Sequence, residues 1–83
     1  MNVTVDISLY PLKKAYRQPI FEFIDHLTGR SEIELTYNSM STTLFGEYSV
    51  IMPLLETAFE NHLENIPESV FVLKISGGCH TEN

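Results

Sequence analysis

Cysteine is almost missing from this chain. Cys79 stands alone, so no disulfide can close within the sequence and a framework of stapled loops is excluded. A secreted chain this short more often carries paired cysteines, so a reducing, cytoplasmic setting is expected. Basic residues are also scarce: five Lys and Arg stand against eleven Asp and Glu, for a net charge of −6. Such a chain lacks the basic face that releases counterions from nucleic acid, and it is equally unsuited to an anionic membrane surface. No apolar run approaches the length of a membrane span, and no charged–apolar–small leader opens the sequence. Catalytic signatures are missing too. There is no Gly-rich phosphate loop, no GxSxG elbow and no HExxH. The expectation is a protein that binds rather than catalyses, with no cofactor, no metal, no nucleic acid and no membrane as partner.

What is present describes one small globular domain. The chain has 83 residues, 43% apolar and 19% charged, which is globular rather than disordered composition. A domain of this length buries only about 60–65% of the surface its unfolded chain exposes. Oligomerisation is a common way for such chains to gain core.

Hydrophobic periodicity assigns the elements. From Val3 to Tyr10, Val3, Val5, Ile7 and Leu9 alternate with Thr4, Asp6, Ser8 and Tyr10, the period of a strand, and Pro11 ends it. Tyr16, Ile20, Phe23, Ile24 and Leu27 follow helical spacing, with Pro19 in the first turn and Gly29 placed as the stop. Glu32–Asn38 and Ser41–Glu47 read as two strands joined by a turn at Asn38-Ser39-Met40. Ser49 is the expected N-cap of a second helix carrying Ile51, Leu54, Leu55, Ala58 and Phe59, with Pro53 in its opening turn and Glu56, Glu60 and Glu64 on the solvent side. Ser69–Ile75 is the last strand, apolar on both faces from Val70 to Leu73, which predicts cover on both sides. Residues 1–76 form the domain and 77–83 a flexible tail.

The order β-α-β-β-α-β predicts an α+β ferredoxin-like fold, with two helices on one face of a four-stranded antiparallel sheet. The other face is left half apolar. It is expected to pack against the same face of a second chain in a closed two-fold dimer.

Individual residues carry weaker signals. Cys79 and His80 are adjacent but lie in the tail. His26 and His62 fall near helix ends, where a surface position or a dipole contact is the simpler reading than metal ligation. Asp6, an acid in mid-strand, needs a partner: a cross-strand ion pair with Lys74 and a ligand-binding role both stand. Ser8, Asn38, Ser41, Thr42 and Thr43 offer hydroxyl and amide groups whose ordinary use is turn and edge hydrogen bonding. Tyr10, Tyr37, Phe45 and Tyr48 could form core or a flat wall for an aromatic ligand.

Two segments are more specific together. Ile7-Ser8-Leu9-Tyr10-Pro11-Leu12 resembles the first-strand SLYP signature of the small thiamine-binding proteins related to YkoF. Asn38-Ser39-Met40-Ser41-Thr42-Thr43-Leu44-Phe45-Gly46 is similar to that family's N-x-M-S-T-x-x-x-G hairpin pattern. Ser69–Ile75 sits where the family's last strand would. The resemblance implies a non-enzymatic domain that binds thiamine or its hydroxymethylpyrimidine moiety, in thiamine salvage, transport or homeostasis. It also implies sheets packed face to face in a homodimer or a tetramer. Ser8 and Tyr10 from the first motif, and Asn38, Ser41, Thr42 and Thr43 from the second, become ligand-binding candidates; Asp6 and Glu47 join them on charge grounds. Two alternatives remain open. One is a small regulatory or interaction module. The other is an acylphosphatase-like or dimeric-barrel enzyme using Lys13, Lys14 and Arg17 after the first strand, although these lack a glycine-rich phosphate cradle.

Overall fold

A computed structural model describes residues 1–12 and 17–78. Its elements run β1 (Asn2–Tyr10), α1 (Arg17–Leu27), β2 (Ile33–Tyr37), β3 (Thr42–Glu47), α2 (Tyr48–Asn65) and β4 (Val70–Ser76). The four strands lie in the order β2-β3-β1-β4, antiparallel throughout. With two helices this is the ferredoxin-like fold. Lys13, Lys14, Tyr16, the side chain of Arg17, and Cys79 and His80 lie outside the described part.

β1 is central, so its alternation decides both faces of the sheet. Val5 sits between Leu44 and Ile75, and Ile7 between Thr42 and Leu73. Val3, Val5 and Ile7 are buried with Leu44 in one core that takes in Phe23 and Leu27 from α1 and Ile51, Leu55 and Ala58 from α2. Both helices therefore cover one face. Phe71 extends this core toward β4, its ring centroid 4.5 Å from Phe59 and 5.1 Å from Phe23, within the range of favourable aromatic pairs. Gly46 allows α2 to close on the hairpin. A Cβ there would meet the Glu32 carbonyl oxygen at 3.0 Å and Ile51 Cδ1 at 3.5 Å. Gly29 ends α1 with φ +83°, the left-handed geometry that glycine adopts without strain.

Several expectations change. β3 runs into α2 without a loop, so the cap position falls on Glu47, which makes no side-chain capping bond, and Ser49 lies inside the first turn. This earlier start also moves Pro53 from the opening turn into the helix interior. β4 is not covered on both sides within one chain: Val70 and Val72 remain 46% and 49% exposed, because both helices lie on the other face. His62 is buried rather than at the surface. Among the described residues, no helix is long and apolar enough to cross a membrane.

Candidate functional site

The uncovered sheet face is ordered by register. Thr36, Thr43, Asp6 and Lys74 form one row across it, since Thr43 pairs with both Thr36 and Asp6, and Asp6 with Lys74. The neighbouring row is Glu34, Phe45, Thr4 and Ser76. In the other direction come Ser8 opposite Val72, then Tyr10 opposite Val70.

Asp6 is the centre of this face. Ser41 Oγ and Thr43 Oγ1 each donate a hydrogen bond to Asp6 Oδ1, both at 2.9 Å. Oδ2 accepts none from a described residue. Lys74 stands directly across by register, yet no ion pair joins it to Asp6 among the described residues. The two hydroxyls brace the carboxylate from the β3 side, and the lysine head group keeps its hydration. One row away, Thr4 Oγ1 is buried without a hydrogen-bond partner.

The turn that delivers Ser41 is built by Asn38. Its Oδ1 accepts from the backbone N–H of Met40 at 2.7 Å and of Ser41 at 3.0 Å, while its own N–H donates to the Ser41 carbonyl. This is the Asx-type turn that asparagine favours, and it makes Asn38 a positioning residue for the Asp6 cluster. Asn38 and Thr42 also line a cavity of about 40 Å³ on the helix side, with Ile7, Leu9 and Ile20.

The sequence candidates therefore separate. Asp6, Ser41 and Thr43 are in contact, and Ser8 and Tyr10 share their face farther along β1. Thr42 points the other way and is 6% exposed, opposite Ile7 on the helix side. Glu47 lies at the end of β3, where its carboxylate holds the N-terminal ammonium at 2.6 Å.

A second polar cluster lies between the helices and has no counterpart in the sequence motifs, because its members come from two helices and a loop. Glu22, His26, Asn61, His62 and Asn65 line a cleft of about 110 Å³. The His62 Nε2 meets Ser69 Oγ at 2.8 Å, and Asn61 Nδ2 donates to His26 Nε2 at 3.2 Å. Burial lowers the His62 pKa, against an opposing effect of the Glu22 carboxylate. No group of three His, Cys, Asp or Glu side chains suited to a metal ion occurs among the described residues.

No family model matches the chain, and no curated protein matches it. Solved structures do. Protein SP2199 from Streptococcus pneumoniae is 20% identical with a TM-score of 0.85, over 99% of this chain and 92% of that one. TM0486 from Thermotoga maritima, to which a role in thiamine biosynthesis or salvage is attributed, is 23% identical with a TM-score of 0.82, again over 99% and 92%. A DUF77 domain of unknown function from Bacillus cereus is 23% identical with a TM-score of 0.73, over 92% of this chain and 75% of that one. At these identities the shared property is the fold.

Proposed function

We propose that this protein binds thiamine, or its hydroxymethylpyrimidine moiety, without catalysis, on the open face of its sheet and as a homo-oligomer, in cytoplasmic thiamine salvage, transport or homeostasis. The observation that carries this reading is the Asp6 carboxylate, braced on one oxygen by Ser41 and Thr43 with the other oxygen presented to the open face. The SLYP and N-x-M-S-T segments and the thiamine role attributed to one structural neighbour support it.

The chemistry is matched. An aminopyrimidine carries an exocyclic amine and ring nitrogens on one edge. The amine donates to Asp6 Oδ2. The thiazolium cation suits an acidic chain and an aromatic face.

A flat sheet supplies only one wall, whereas small-molecule sites are concave. Tyr10 lies four residues from Asp6, about 13 Å along the strand, too far to stack on a ring held there by its own chain. A second sheet packed face to face provides the missing wall and can bring its own Tyr10 over the ring. The same packing covers Val70, Val72 and Tyr10, which are exposed in one chain, as apolar surface of this kind favours.

A thermal-shift series tests the reading. Thiamine, its phosphates and hydroxymethylpyrimidine are each added at up to millimolar concentration. Ligand at about 100 times its dissociation constant adds about 2.7 kcal/mol of stability. No shift with any of them overturns the proposal.

A further inference from the structure

The cleft between α1 and α2 lies on the far side of the sheet from Asp6, so the site proposed above makes no use of it. Its floor is apolar and buried: Phe23, Ala58 and Ile66 are 4%, 2% and 9% exposed. Its rim is polar and exposed, with Glu22 and His26 from α1 and Asn61 and Asn65 from α2. An apolar floor under a few convergent polar groups is the usual build of a small-molecule site. The floor is also firmly held. Phe23 stacks on Phe59 with ring centroids 5.9 Å apart and planes 5° from parallel, and the His62 ring meets Phe23 edge-on at 6.2 Å and 83°. Ser69 Oγ anchors that imidazole at 2.8 Å. Walls fixed by packing lose little freedom when a ligand enters.

The charge of the cleft has one sign. At neutral pH Glu22 is the only lining residue with a formal charge, and no lysine or arginine lines the cleft among the described residues. The carboxylate acts inward, since it works to raise the His62 pKa; burial outweighs it and keeps that ring neutral. His62 therefore does not supply a cation of its own. The amides add acceptors. Asn65 Nδ2 donates to the Asn61 carbonyl at 3.0 Å, and Asn61 Nδ2 donates to His26 Nε2 at 3.2 Å. Each amide nitrogen is engaged, and each Oδ1 is left as an acceptor among the described residues. Both asparagines stand at the C-terminal end of α2, where the helix dipole is negative. The cleft of about 110 Å³ has room for about four water-sized groups. That is an ammonium head on a body of about three carbons.

We propose that this interhelical cleft is a second binding site, for a short primary alkylammonium, with the head group on Glu22 and the amide oxygens of Asn61 and Asn65 and the alkyl body over Phe23 and Ile66. An anion of the same size would meet Glu22 and the negative end of α2, and a neutral alcohol would gain nothing from either charge. The site is separate from the Asp6 face and does not depend on thiamine binding.

An amide-resolved NMR titration of the full chain tests this, with n-propylammonium, 1-propanol and propionate as probes of one size. Propylammonium is expected to bind with a dissociation constant on the order of 1 mM, the scale for a ligand of so few atoms. It moves the amide signals of residues 22–26 and 58–66. The alcohol and the carboxylate bind at least roughly tenfold more weakly. Glu22→Gln, at the exposed rim, raises the propylammonium constant roughly tenfold. Glu56→Gln removes the same charge from α2 outside the cleft and changes the constant by less than about twofold. Asn65→Leu raises it roughly threefold by removing one acceptor. Signal dispersion like that of the parent chain shows that each variant is folded. Shifts scattered over the acidic surface, or no saturation well above the millimolar range, overturn the proposal. So does an alcohol that binds as tightly as the amine, or a Glu22→Gln effect no larger than that of Glu56→Gln.

Discussion

Asp6 has two carboxylate oxygens, and among the described residues the hydrogen bonds fall on one. That asymmetry gives the face its chemical direction, because hydroxyls on the β3 side fix the plane of the carboxylate before any ligand arrives. Asp6→Asn keeps the shape, and its carbonyl oxygen can still accept from Ser41 and Thr43. It removes the charge that a protonated or amine-bearing ligand would meet. Thiamine affinity by titration calorimetry is expected to fall about ten- to a hundredfold, the scale of a hydrogen bond to a charged group, with little change in the urea midpoint. His62 gives a residue-scale prediction of the opposite kind, about stability rather than binding. Its pKa is lowered from 6.5 chiefly by burial, so the native state binds fewer protons than the unfolded chain. Its contribution is fully present above pH 6.5 and is lost as pH falls from there toward the lowered native pKa, with a slope of at most about 1.4 kcal/mol per pH unit. Urea unfolding from neutral to mildly acid pH should show this decline, and His62→Gln should flatten it.

At the scale of elements, α2 carries a defect that can be removed. Pro53 lies inside the helix, where it donates no hydrogen bond to the turn before it and its ring crowds the Ser49 carbonyl. Pro53→Ala is expected to raise stability by about 1 kcal/mol in thermal denaturation, the helical gain being partly offset by a freer unfolded chain. The strands were legible because β1 alternates without error and its partners follow its period. The helix start was not, because Ser49 is a good capping residue in isolation, and only the direct run of β3 into α2 displaces it. Thr42 and Thr43 show the same limit within a strand. Alternation says that they point opposite ways, but which one joins Asp6 is decided by pairing with β1, where Thr42 falls opposite Ile7 and Thr43 opposite Asp6. Asn38 and Gly46, both within the hairpin motif, prove to shape the turn and to let α2 pack closely. Part of that motif therefore records architecture rather than ligand contact.

At the scale of the whole molecule, one chain offers a half-apolar sheet face that the helices do not cover, which is not a comfortable state in water. If the binding site takes its second wall from a partner sheet, ligand affinity and assembly are linked. Diluting the protein through its dissociation midpoint should then weaken apparent thiamine binding, and thiamine should shift that midpoint to lower protein concentration. Sedimentation with and without ligand measures both. This linkage was not visible residue by residue, since no single position marks an interface. It comes from the strand register, which leaves Val70 and Val72 of β4 on the side that the helices do not cover.

The strand order has a consequence in time. β1 precedes the other strands of the sheet and lies at its middle, while one of its two neighbours, β4, follows them all. Val5 must wait for Ile75, and Asp6 for the strand that bears Lys74. The nascent chain can form the hairpin of β2 and β3 early and dock β1 beside it, but the sheet closes only once β4 has been made. Pairings this distant in sequence slow folding. Until the last one forms, the half-built sheet shows the ribosome's surroundings a bare edge of its central strand.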